Sequence, residues 1–137
     1  MYEDLYSAFL ESGDTFRIYL DEDLLFSSEK DRLFPMMEYL EEYGPSEEPV
    51  TIFDKIMGNA AALLAVKIKC QAVYSPLGSE LAIETLENNG IAYHLNKVVP
   101  YIIRPDGKDM CPMEKLSMDK TPDEFYREML KRIEAGK

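Results

Sequence analysis

Apolar positions change their spacing several times along this chain, and each change marks an element. Tyr2, Leu5, Tyr6, Phe9 and Leu10 recur every three or four residues, which predicts an amphipathic helix over about residues 2–11. Ser12-Gly13-Asp14 stops it. Thr15 to Leu20 then alternates apolar and polar residues, the pattern of a half-buried strand, and Leu24 to Ser28 returns across the acidic turn Asp21-Glu22-Asp23 as its hairpin partner. Leu33, Met36, Met37, Leu40 and Tyr43 trace one face of a second helix, closed by Gly44-Pro45.

The middle of the chain switches to strand–helix units. Val50 to Phe53 predicts a buried strand, and a small-residue helix opening at about Ile56 runs on to Val66. Three consecutive alanines (Ala60, Ala61, Ala62) have no bulk to fill a core, so a neighbouring element must approach that helix closely. Cys70 to Tyr74 predicts the next strand, Ser75-Pro76-Leu77-Gly78-Ser79 a turn, and Glu80 to Asn88 a helix stopped by Asn89-Gly90. Ile91 to Leu95 is the following strand. Val98 to Ile103, broken by Pro100, is an edge strand or a short turn. A short helix follows from Cys111-Pro112 to Leu116, and a last one over about residues 122–135 starts at the Thr121-Pro122-Asp123-Glu124 cap. Strands alternating with helices of these lengths make βαβ crossovers and a partly parallel sheet. The expected architecture is one α/β domain over residues 1–137, with three α/β/α layers and a mixed sheet of about five strands opened by an antiparallel hairpin.

Charge narrows the partners. At 137 residues the chain carries a net charge of −11, which repels a nucleic-acid backbone or an anionic membrane. The expected partner is a small molecule, with no nucleic acid and no membrane, and with self-association into a homo-oligomer left open. Residues 1–20 hold Glu3, Asp4, Glu11 and Asp14 against Arg17 alone, unlike a secretory signal. The two cysteines, Cys70 and Cys111, support at most one disulfide, which points to a reduced, cytoplasmic protein.

Motifs for well-known chemistries are missing. The chain has no G-x-G-x-x-G, no phosphate-binding Walker loop and no G-x-S-x-G elbow. Its one histidine, His94, lies on a strand far in sequence from Cys70 and Cys111, so neither a zinc site nor another cofactor is expected. Cys111 precedes Pro112 at a helix start, where a thiol is activated more readily than in a core, and Glu114 follows as a local capping partner or an acid–base group. Asp54-Lys55, at the end of a strand and before a helix, can cap that helix. The pair can also orient a ligand, with Lys55 and the helix N-terminus meeting an anionic group.

The hairpin, the Phe53-Asp54-Lys55-Ile56-Met57-Gly58-Asn59-Ala60-Ala61-Ala62 segment and the Ser75-Pro76-Leu77-Gly78-Ser79-Glu80 segment together resemble the cytidine deaminase fold. With Val99-Pro100-Tyr101 and Cys111-Pro112-Met113-Glu114 they resemble more closely a small prokaryotic family, the domain of unknown function numbered eighteen ninety-three. The resemblance extends over residues 14 to 120. Zinc deaminases carry a His or Cys with a proton-shuttling Glu on the first crossover helix and P-C-x-x-C on the second. Here Met57-Gly58-Asn59, or Asp54-Lys55-Ile56 if the register slips one turn, and Pro76-Leu77-Gly78-Ser79 stand in those places. Neither register supplies the metal ligands together with the shuttling Glu, so the hydrolytic chemistry does not carry over. What the resemblance implies is the place of a pocket, at the N-termini of the two crossover helices, framed by Asp54, Lys55, Gly58, Asn59, Ser79 and Glu80. Three functions follow for test. The chain is a zinc-free domain binding a small anionic or nucleotide-like ligand, or a metal-independent enzyme using Cys111 or Glu114, or a structural, protein-interaction domain.

Overall fold

The computed structural model describes residues 2–136. Helix α1 (Tyr2–Glu11) leads into the hairpin β1 (Phe16–Leu20) and β2 (Asp23–Ser28), then α2 (Phe34–Tyr43). Two strand–helix units follow, β3 (Thr51–Asp54) with α3 (Asn59–Ile68) and β4 (Ala72–Ser79) with α4 (Glu80–Asn88), before β5 (Ala92–Val99). The short α5 (Pro112–Ser117) and the longer α6 (Pro122–Ala135) complete the order.

The five strands lie in the order β2-β1-β3-β4-β5. β1 pairs antiparallel with both β2 and β3, whereas β3, β4 and β5 run parallel. β3 is therefore the strand where direction changes. Its carboxyl end lies beside the amino end of β1, with Asp54 opposite Phe16.

Successive residues on β3 show how the sheet separates two layers. Ile52 joins a core made with α2, α3, α4 and α6, while Phe53 points the other way into a cluster with Tyr6, Phe9 and Tyr19 under α1. The α1 side is a nest of aromatic rings, with Tyr6, Phe9, Tyr19 and Tyr74 each 5.2–5.7 Å from the Phe53 centroid and Tyr6 5.5 Å from Tyr74. Fully burying a side chain such as Phe53 contributes about 2–3 kcal/mol. His94 lies on this side as well, tilted against Tyr74 at 5.4 Å.

On the other face α3 is the central helix, packed against α2, α4, α5 and α6. Ala60, Ala61, Ala62 and Ala65 are all buried, so the small-residue face admits close neighbours as expected.

β5 runs past its expected end at Leu95 to Val99, into the stretch expected as an edge strand or short turn, and two other boundaries differ from the sequence expectation. Ser75 to Ser79 is a continuation of β4, not a turn. Pro76 and Gly78 are tolerated because the extension is held on both sides, by β5 through Val99 and by a parallel bridge from Met57 to Gly78. Gly78 also answers to packing, since a Cβ there would stand 2.5 Å from Leu95 Cδ1. The second difference is at α3, which opens at Asn59 rather than near Ile56, because Met57 is committed to that bridge.

Candidate functional site

Two strand–helix corners face the region where the pocket was expected, and they are built differently. At β4–α4 the strand passes straight into the helix. Ser79 is the N-cap, its hydroxyl accepting from the Ala82 N–H at 3.1 Å, and it is wholly buried. Glu80 points to solvent in the first turn of α4. The corner is closed.

At β3–α3 four residues, Lys55 to Gly58, separate strand from helix. Gly58 is the N-cap and has no side chain to offer. The carboxylate that serves the helix arrives from α5 instead: Glu114 Oε1 accepts the Asn59 N–H at 2.6 Å, across 55 residues of sequence. The other oxygen, Oε2, accepts the Ile102 N–H at 2.7 Å. Both Glu114 oxygens are thus engaged, and the side chain is only 2% exposed. A Cβ on Gly58 would stand 2.9 Å from Ile102 Cγ1 and 3.0 Å from Glu114 Oε1, so glycine gives room to seat Glu114 and the strap of residues 100–111 that joins β5 to α5. Asn59 turns its side chain away from the cavity, donating to Ser117 Oγ at 3.0 Å and accepting from the Thr85 hydroxyl.

Between this corner, the segment before α2, the strap and the start of α5 lies a cavity of about 590 Å³. Asp54, Lys55, Gly58, Cys111 and Glu114 of the expected residues line it, whereas Asn59, Ser79 and Glu80 do not. Its walls are largely apolar, with Ile56, Ile102, Ile103 and Met113 prominent. Ile56 and Ile103 are 49% and 52% exposed, an unusual placement for isoleucine that the open cavity accounts for.

Asp54 is the cavity's distinctive group. It is 7% exposed, and no salt bridge reaches it among the described residues. Burial pushes its carboxyl up to about 8, opposed only in part by the backbone N–H groups of Lys55 and Ile56. The group is therefore mostly protonated at neutral pH, when it can donate as well as accept.

Lys55 does not neutralise the inner end. Its ammonium crosses to the other side of the sheet, 3.4 and 3.3 Å from the Phe9 and Leu10 carbonyls at the end of α1, and 4.8 Å from the Phe9 ring centroid. There it meets the negative end of the α1 dipole. The cations at the mouth are Arg32 and Arg104, both exposed. Arg32 holds a left-handed backbone, φ 59°, in the turn before α2. Neither arginine was legible from the sequence, where Asp31-Arg32 and the Arg104-Pro105-Asp106-Gly107 stretch carry only loop signals.

Cys111 is half-buried on the cavity wall and Cys70 is buried, both with free thiols. Burial pushes the Cys70 thiol up to about 12, the behaviour of an inert core residue. Among the described residues no group of three or more His, Cys, Asp or Glu side chains is placed to hold a metal ion.

Comparison with known proteins agrees with the fold. Nothing among curated proteins matches. The crystal structure of a DUF1893 family protein (TM1506) from Thermotoga maritima is similar, with a TM-score of 0.86 and 25% identity over 96% of this chain and 88% of that one. A family model described as "TM1506: Domain of unknown function (DUF1893)" matches residues 6–133. With nearly the whole length matched, this chain belongs to the DUF1893 family.

Proposed function

We propose that this protein is a small-molecule-binding domain on a cytidine deaminase-like scaffold, acting in the cytoplasm without hydrolytic deamination. The observation that carries the reading is the cavity at the carboxyl end of β3, with buried Asp54 at its inner end. In open α/β sheets ligands bind outside the carboxyl ends of the strands, near a change in strand direction or order. β3 is such a strand here. The cavity volume of about 590 Å³ falls in the range that holds metabolite-sized ligands, and its apolar walls with few polar groups have the usual composition of such sites.

The scaffold reading rests on the antiparallel hairpin followed by two parallel crossovers, the arrangement implied by the resemblance. The chemistry differs because the donor set for zinc is absent from both crossover helices, and with it the means of activating water that deaminases use. The ligand carries an anionic group. It is met by Arg32 and Arg104 at the mouth rather than by Lys55 and the α3 N-terminus, since Lys55 is tied to α1 and Glu114 already occupies the Asn59 N–H.

A thermal-shift screen against metabolites tests the proposal. A binder raises the melting temperature of the native chain, and Ile56→Trp, which narrows the mouth from an exposed position, abolishes the rise. A broad panel that leaves the melting temperature unmoved contradicts it.

A further inference from the structure

We propose that the cavity is a two-ended site, taking a cationic nitrogen head (an amine or amidinium) at Asp54 and an anionic tail at Arg32 and Arg104. The inference rests on the reading that the cavity holds a small ligand, and it goes further by fixing which end of the ligand goes in.

The inner end is chemically one-sided. Asp54 and Glu114 both line it, and no cation is paired to either among the described residues. The one lysine of the lining has its ammonium on the Phe9 and Leu10 carbonyls. Glu114 accepts from the Asn59 and Ile102 N–H groups at 2.6 and 2.7 Å. By contrast, the Lys55 N–H beside Asp54 donates to the Thr15 carbonyl and no bond as short reaches the Asp54 carboxyl among the described residues, which leaves Asp54 as the side chain with capacity for a ligand. A carboxyl in this position is best complemented by a donor that also carries charge, because a charge-assisted hydrogen bond in a dry site is roughly twice as strong as a neutral one. An anionic head would instead meet two carboxyl groups and a protein of net charge −11.

The mouth carries the cavity's arginines. Arg32 and Arg104 project from two separate segments that border the cavity, beside exposed Asp31. Arg104 lies 3.8 Å from Asp106 in a solvent-exposed pair that a ligand anion can displace, and guanidinium groups suit carboxylates and phosphates. Between the ends, Ile56, Ile102, Ile103 and Met113 offer an apolar passage for the body of the ligand.

A proton accompanies the head group. The titratable and charged groups sharing the cavity with Asp54 are Asp31, Arg32, Lys55, Arg104, Cys111 and Glu114. Burial raises the Asp54 carboxyl to about 8. A bound cation holds its ionised form, so binding below the carboxyl's own midpoint releases one proton. Affinity for a permanently charged amine then rises about tenfold per pH unit and levels off above about 8.

The test is an amide-resolved NMR titration of the full chain with hexylamine, 6-aminohexanoate and hexanoate. Hexylamine and 6-aminohexanoate are expected to move the Lys55, Ile56 and Ala60 signals, with affinity rising about tenfold from pH 6 to pH 7. The carboxylate of 6-aminohexanoate adds a several-fold gain over hexylamine, and Arg104→Ala removes that gain. Asp54→Asn abolishes amine binding. Should that variant fold poorly, the pH profile of the native chain decides the same point. Amine binding that is flat with pH, or retained by a folded Asp54→Asn, overturns the inference. Hexanoate binding in the cavity in preference to hexylamine overturns it too, while leaving the cavity a ligand site. If no probe moves any cavity amide at tens of millimolar, both readings fail.

Discussion

The two strand–helix corners of the parallel sheet solve one problem in opposite ways. A helix start leaves N–H groups without intrahelical partners, and something must accept from them. At β4–α4 the acceptor is local: Ser79 caps α4 from the adjoining strand end, and the corner is sealed. At β3–α3 the acceptor is remote: Gly58 has no side chain, and Glu114 reaches in from α5. The remote solution leaves a gap beside Asp54 that becomes a cavity. A closed corner only supports the fold, whereas a corner finished by a distant segment has room for a ligand.

That contrast is sharpest in its dependence on pH. Asp54 in the unfolded chain ionises near 3.8, and in the folded chain near 8. Below about pH 4 both states hold the proton. From there to about pH 8 the folded state holds it alone, so stability falls with rising pH and is flat beyond. The full loss is on the order of several kcal/mol. Asp54→Asn cannot lose a proton, so it should gain on the native chain across that window. At pH 8.5 it should melt about ten degrees higher, as checked by paired melting curves.

Cutting the remote cap should cost about 3 kcal/mol. Glu114→Ala strands the Asn59 and Ile102 N–H groups and opens a void in a position only 2% exposed. Glu114→Gln retains one acceptor oxygen and should lose less. Urea unfolding of both variants measures the difference. The local cap is a smaller matter, and Ser79→Ala should cost about 1 kcal/mol in the same assay. Equal losses at the two corners would erase the distinction between them.

The smallest effect should appear in thiol labelling. In the native chain Cys111, on the cavity wall, should alkylate ahead of buried Cys70. Glu114→Gln, by loosening the strap at Ile102, should speed Cys111 a few-fold and leave Cys70 unlabelled. Mass spectrometry of time points distinguishes the two cysteines.

The same contrast explains what the sequence made legible. The hairpin and the α6 cap at Thr121 to Glu124 are visible because their partners lie within a few residues of one another. Asp54 stands out at a strand end for the same reason. Glu114 reads as a capping residue of its own short helix, since nothing in its neighbourhood points to Asn59, 55 positions earlier. Pro76 and Gly78 signal a turn locally, but pairing on both sides of β4 carries the strand through them. Lys55 reads as a ligand contact until α1 folds across the sheet and takes its ammonium. Placing Arg32 and Arg104 at one mouth likewise needs the tertiary fold, because 72 positions separate them (104 − 32).

A buried carboxyl with no cation paired to it among the described residues stands at the end of β3 and gives the cavity its character. Carbon-detected NMR titration of the Asp54 side chain in the ligand-free protein tests this most directly. A midpoint near 8 is predicted. A midpoint near the ordinary value of 3.8 would mean that Asp54 is solvated or paired, and the account of the site would fail.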